Sequence, residues 1–171
     1  YFGINIPVEP MSRESYFFLC DKKIEPLPFI KTETDLAFRP EGNGFTGGMP
    51  DWSVKGGWNW ELSPTRFEDT VWPSLAHRIP AMETIKLERS WRGHYARNNL
   101  DYNAIIGPWA ADPHNLLIAT GFSGHGIMHA PATGLAISEL VLEGRYNTID
   151  LRRFGTERII AAKPYRESGI V

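Results

Sequence analysis

Apolar and polar positions along the chain alternate in short blocks, and each block predicts an element. Residues 13–20, "RESYFFLC", crowd aromatic and aliphatic side chains into eight positions and predict a strand. The two prolines of "IEPLPFI" then demand a loop or a sheet edge. "DLAFRPE" (35–41) and "GFTGGMP" (44–50) predict two short strands joined at "EGNG", where glycine and asparagine suit a tight hairpin turn. "DWSVKGGWNW" (51–60) predicts a loop whose three tryptophans cover apolar surface. In residues 63–79, Phe67, Val71, Leu75 and Ile79 recur every fourth position and share one face of a helix. Ser63 is its expected N-cap and Pro64 its first residue; Pro73 should kink or split it and Pro80 end it.

"IKLERSWRGHY" (85–95) and "NAIIGPW" (103–109) predict two more strands. "NLLIATGF" (115–122) has an unbroken apolar stretch, which predicts a strand buried on both sides. A helix over roughly 130–143 follows, capped by Gly144. Strands interleaved with one kinked and one longer helix make the fold class α+β, with a mixed, largely antiparallel sheet.

Composition narrows the function. The chain has 171 residues, 42% apolar and 22% charged, which is ordinary for one globular domain. A formal net charge of −2 gives no electrostatic case for nucleic acid or an anionic membrane surface. No apolar run approaches the roughly 20 residues that span a bilayer, and no signal-peptide pattern opens the chain, so it is not expected to be secreted. The single cysteine, Cys20, cannot form an internal disulfide and is expected in the core. The first residue is Tyr1, which fits a trimmed chain, a processed precursor or a fragment of a longer protein.

The candidate chemistry lies in "ATGFSGHGIMHAPATG" (119–134). Its glycines let backbone approach a ligand closely, and the helix that follows offers unpaired N–H groups and partial positive charge. A glycine-rich turn with no ligand accounts for the same residues; the pattern is neither a GxGxxG fingerprint nor a P-loop. His125 and His129 stand four apart, but no third ligand can be named, so no metal site is expected. Ala130, Gly134 and Ser138 form a small-residue stripe suited to close packing on another element.

"GFSGHGIMHAPATGLAISELVLEGR" resembles the C-terminal segment of the D-amino-acid-oxidase-like FAD-dependent oxidoreductases, the group of sarcosine oxidase, glycine oxidase and dimethylglycine dehydrogenase. "AFRPEGNGFTGG", "FEDTVWPSLAHRIPAMETIKLERSWRGHY" and "DYNAIIGP" follow the family's order upstream, and the likeness covers about residues 4–155. It is strongest to the FAD-dependent oxidoreductase domain-containing proteins, a group with a mitochondrial member linked to respiratory complex I assembly. The resemblance implies an oxidoreductase that moves hydride from the carbon beside an amine to flavin. It also implies that Gly121, Phe122, Ser123, Gly124, His125, Gly126, Ile127 and Met128 face the flavin, with Ile106 and Gly107 nearby. By the same comparison, residues 1–103 form a substrate-side domain, 104–155 a strand–loop–helix of the FAD-binding domain and 156–171 a tail. The family's N-terminal Rossmann half, with its GxGxxG, has no counterpart here. The expected partners are therefore that half, from the same gene or another chain, a small amine or amino-acid substrate, and a possible second copy. FAD is expected to be non-covalent, because the cysteine that sarcosine oxidase uses falls at Gly93. The expected location is cytoplasmic in a bacterium and the mitochondrial matrix in a eukaryote.

Several substrate-side positions depart from the family. Where sarcosine oxidase has a lysine after its glycine loop, this chain has Met128. Glycine oxidase's two arginines fall at Gly124 and Tyr95, with Arg92 and Arg97 as neighbouring substitutes. These cations pair with a substrate carboxylate in the relatives. Tyr95, His94, Phe38 and Arg39 are the substrate-side candidates here, with strand alternation turning Tyr95 inward and His94 out. The catalytic residue is not assigned.

Overall fold

The computed structural model describes residues 3–166. Seven strands and three α-helices follow in order: β1 (Val8–Cys20), β2 (Ile30–Lys31), β3 (Ala37–Glu41), β4 (Gly44–Gly48), α1 (Trp72–Arg78), β5 (Ile85–Asn98), β6 (Ile105–Pro108), β7 (Leu117–Thr120), α2 (Gly126–Glu143) and α3 (Glu157–Ile160). They divide into two compact units. One holds Ser12–His94; the other takes Met11 and the residues before it together with Tyr95 onward. The chain thus changes unit inside β1 and inside β5.

The Ser12–His94 unit is built on a five-stranded sheet of order β2-β3-β4-β1-β5. The β3–β4 hairpin closes on Gly42 and Asn43 between the paired Glu41 and Gly44, and Gly42 takes φ +57°, the position that favours glycine in a two-residue turn. Gly47 is required for packing: a Cβ there would run into the Ala37 carbonyl and Phe38 on β3. Tyr16, Phe18 and Phe38 project from the sheet onto Phe67, Val71 and Leu75, forming one apolar core with Met82 and Ile85. Each fully buried side chain of this kind contributes about 1.5–3 kcal/mol. Cys20 packs at the margin of this core and donates to the Ala81 carbonyl.

The helix of this unit starts later than its periodicity predicted. Ser63 is not its cap, because the Ser63 N–H donates to Glu14 Oε1 (2.9 Å) and residues 63–65 stay outside the helix. Arg66 is tied to the Met49 and Pro50 carbonyls and to Asp51. Phe67–Val71 then form a π-helical turn, closed by the Trp72 N–H on the Phe67 carbonyl, before α1 begins. Pro73 explains the break: it has no N–H for the carbonyl four residues back, and the widened turn relieves its ring. Ile79 is extended, as the residue before Pro80 should be, and the helix stops. The tryptophans of the 51–60 loop do not cover the core: Trp52, Trp58 and Trp60 are 59%, 71% and 66% exposed.

In the other unit β6 and β7 pair antiparallel, Ile106 opposite Ala119. β7 is not buried on both sides; Ile118 is buried while Ala119 is exposed, and β6 is its only sheet neighbour among the described residues. α2 begins at Gly126, four residues earlier than expected, and runs through Pro131 to Gly144, whose φ of +71° makes the C-cap. Its buried side is Thr133, Ala136 and Glu139; the small-residue stripe Ala130, Gly134 and Ser138 is uncovered among the described residues. Part of the segment after 155 packs into this unit. Thr156 is fully buried and bridges the Pro108 carbonyl and the Ala110 N–H, and Arg158 is 9% exposed.

Candidate functional site

β7 delivers the chain into a loop whose backbone is turned by left-handed residues: Gly121 at φ +68°, Ser123 at +49° and Gly124 at +98°. Gly121 is enclosed, since a Cβ would lie 3.1 Å from Asn98 Cβ and 3.2 Å from Val8 Cγ2. Arg97 and Phe122 form a β-bridge, and the Ser123 N–H donates to the Ala96 carbonyl (2.9 Å), so the loop is stitched to the end of β5. The His125 N–H closes back on the Phe122 carbonyl (2.9 Å) and α2 starts at the next residue. No side chain caps this helix start, which leaves the first amides of an 18-residue helix without intrahelical acceptors.

A cavity of about 370 Å³ opens on this loop, lined by Tyr95, Ala96, Thr120, Phe122, Gly124 and Gly126 among others. Tyr95 lies beside Gly124, its ring 3.8 Å from where a Cβ would stand. The two positions where the resemblance placed glycine oxidase's arginines are therefore neighbours in space. A second cavity of about 240 Å³ brings Ile106 together with Phe122, His125, His129 and Thr133. The two histidines share a helical turn, with the His129 N–H on the His125 carbonyl (3.3 Å) and their ring centroids 5.8 Å apart. The described residues contain no group of three or more histidine, cysteine or acidic side chains arranged to hold a metal ion.

Other candidates fall elsewhere. Ile127 and Met128 are 88% and 66% exposed and line neither cavity. Gly107, at φ +129°, packs against the Tyr146 hydroxyl instead. Phe38 is a core side chain of the sheet; Arg39 is exposed and paired with Glu41. His94 turns to the stacked pair Trp58 and Trp60, and its Nε2 accepts the Asn59 N–H (3.0 Å).

Neither neighbouring arginine is available as a spare cation. Arg97 donates to Glu9 (2.6 Å), to Asn99 (2.7 Å) and to Met11 Sδ. Arg92 pairs with Glu14, which also accepts the Tyr16 hydroxyl, and burial pushes the Tyr16 phenol above its ordinary value. Burial likewise lowers the Arg92 guanidinium from its ordinary value.

Sequence reasoning named Ser123 but missed Asn98, Asp101 and Arg158, which hold the loop from behind. Ser123 Oγ donates to the Gly121 carbonyl (3.2 Å) and accepts the Asn98 N–H (3.1 Å). Asn98 and Asp101 are fully buried, and Asp101 binds Arg158, 57 positions further along the chain. No periodicity links residues so far apart; the only sequence trace was an unexplained Asn and Asp in "RNNLDYN".

A loop with three left-handed residues and an uncapped helix start thus adjoin one cavity. The chain belongs to the FAD-dependent oxidoreductase family: the family model described as DAO, FAD dependent oxidoreductase, matches residues 2–140. It is 37% identical over 179 residues to FAD-dependent oxidoreductase domain-containing protein 1 of Xenopus laevis, covering 99% of this chain and 35% of that protein. Among solved structures it resembles L-proline dehydrogenase from P. horikoshii, with TM-score 0.80 and 22% identity over 95% of this chain and 43% of that one. It also resembles glycine oxidase from Geobacillus kaustophilus, with TM-score 0.71 and 23% identity over 90% of this chain and 40% of that one. At these identities the two structures establish the fold. The chain spans about a third of the length of the Xenopus relative (35%).

Proposed function

We propose that this chain forms the substrate-side and flavin-facing part of an FAD-dependent oxidoreductase that oxidises the C–N bond of an amine or amino acid. The observation that carries the reading is the glycine loop: Gly121, Ser123 and Gly124 turn the backbone so that the start of α2 and Tyr95 border one cavity. The names of the structural neighbours, an L-proline dehydrogenase and a glycine oxidase, support the substrate class.

Bound non-covalently, FAD supplies a two-electron acceptor for hydride from the carbon beside the substrate nitrogen. The residues of this chain do the holding. The Gly126 amide, on the cavity wall at the start of α2, offers a donor and partial positive charge suited to an electron-rich ring carbonyl. Glycines at 121, 124 and 126 keep side chains out of the approach. Tyr95 contributes an aromatic wall that excludes water beside Gly124. Polypeptide beyond this chain grips the ADP half of the cofactor in this reading.

Purified full-length protein should carry flavin absorbance, and rapid mixing with N-methylated or free amino acids should bleach it. No flavin in the protein and no uptake of added FAD would defeat the proposal. A second reading, a protein that keeps the fold without the oxidation, is favoured by one observation: Arg92 and Arg97 are both engaged by acidic side chains. Rapid bleaching by any amine would rule it out.

A further inference from the structure

Ser123 is a non-glycine residue in left-handed backbone, a conformation that persists only where the surroundings over-determine it. Here they do. Its N–H is taken by the Ala96 carbonyl, its hydroxyl proton by the Gly121 carbonyl, and its oxygen accepts the Asn98 N–H. At 1% exposure Ser123 is closed off from solvent. The bond to Gly121 fixes the first turn of the loop, and the bond from Asn98 fixes Ser123 in turn.

Asn98 is itself held. Its Nδ2 donates to Asp101 Oδ1 and to the Asn103 carbonyl, both at 2.7 Å, and its Oδ1 accepts the Leu100 N–H (3.0 Å). Asp101 accepts the Arg158 guanidinium at 2.7 and 3.2 Å and the Tyr165 N–H at 3.0 Å. Arg158 spends its remaining donors on the carbonyls of Phe154, Gly155, Asn103 and Ala104. A continuous line of buried hydrogen bonds therefore runs from the C-terminal segment to the turn that aims the start of α2.

We propose that Ser123 and Asn98 are positioning residues of the flavin cradle, set in place from the C-terminal segment by Asp101 and Arg158. None of the four touches the reacting atoms. Their part is to hold the loop amides in one direction, because donors that drift lose most of their value to a rigid ring. The inference rests on the flavin reading above for its consequence, though not for the coupling itself.

The test uses the full-length protein with Ser123→Ala, Asp101→Asn and Arg158→Lys. Hydrogen exchange of the amides from Ser123 to Gly126 measures the coupling whether or not FAD is present. FAD affinity, the flavin absorption maximum and the flavin midpoint potential measure its consequence. Ser123→Ala should speed exchange across the loop, weaken FAD binding about three- to tenfold, the worth of one or so hydrogen bonds, and shift the flavin spectrum. Asp101→Asn and Arg158→Lys should change the same readouts in the same direction and by less. Leu75→Ala, in the core of the other unit, should lower stability while leaving loop exchange and the flavin spectrum unchanged. Loop exchange at the wild-type rate in both Ser123→Ala and Arg158→Lys overturns the proposal; should Ser123→Ala fail to fold, Arg158→Lys decides alone. A wild-type protein that binds no flavin defeats the functional reading, and the exchange measurements still judge the coupling.

Discussion

The Glu14–Arg92 pair gives the sharpest test of how the Ser12–His94 unit is held together. Both side chains are nearly enclosed, at 4% and 7% exposure. Removing one partner of such a pair costs about 3–5 kcal/mol, because a buried charge is left behind. In Arg92→Met the Glu14 carboxylate keeps two donors, the Tyr16 hydroxyl at 2.5 Å and the Ser63 N–H at 2.9 Å. Those donors offset part of the loss, which places the cost near the lower end, about 3 kcal/mol. Glu14→Leu together with Arg92→Met removes both charges but orphans both donors. Ser63 is exposed, so only the Tyr16 hydroxyl is left buried and unmade, at about 1–3 kcal/mol, and the double variant should be no less stable than Arg92→Met. Urea unfolding followed by circular dichroism reads the difference, and a loss of about 3 kcal/mol moves the midpoint by about 1–3 M. A shift in Arg92→Met worth under about 1 kcal/mol would refute the reasoning, since that is the scale of an exposed pair.

Leu75→Ala removes a fully buried side chain from the same core and should cost about 2–5 kcal/mol, checked by the same unfolding assay. Gly47→Ala should destabilise by at least about 1–3 kcal/mol and weaken β3–β4 pairing, seen as lost amide protection at Phe38, because its Cβ meets β3 backbone. Asp150 is held down at about 2 by its bonds to the Arg152 guanidinium, so its contribution to stability is complete above the ordinary carboxylate range and lost as pH falls toward 2. Carboxyl NMR should follow that titration, and Arg152→Ala should return it upward toward 3.8.

Strand positions were legible because each apolar run had the period of its element, and Pro80 and Gly144 ended helices for local reasons. The loop was legible too, since glycines at 121, 124 and 126 leave few alternatives to a turn before a helix. What the sequence hid was competition. The Ser63 N–H had an acceptor in Glu14, 49 residues away, which outbid the helix for it. The π-turn at Phe67–Val71 needed the spatial demand of Pro73 to be weighed against packing of Phe67 and Val71. Arg158 looked like one more charge in "LRRFGTER", and only the fold brings it to Asp101. Strand alternation, by contrast, was enough to turn Phe38 into the core.

The tryptophans make the molecule its own optical reporter. Five of the six, Trp52, Trp58, Trp60, Trp72 and Trp91, lie in Ser12–His94, and Trp109 alone lies in the other unit. Trp58 and Trp60 stack with ring centroids 5.9 Å apart and planes 10° from parallel, close enough for their excited states to mix. Emission and the near-ultraviolet dichroism of this protein are thus dominated by one unit. Trp109→Phe makes the other unit dark, and the difference between the two emission curves isolates its unfolding.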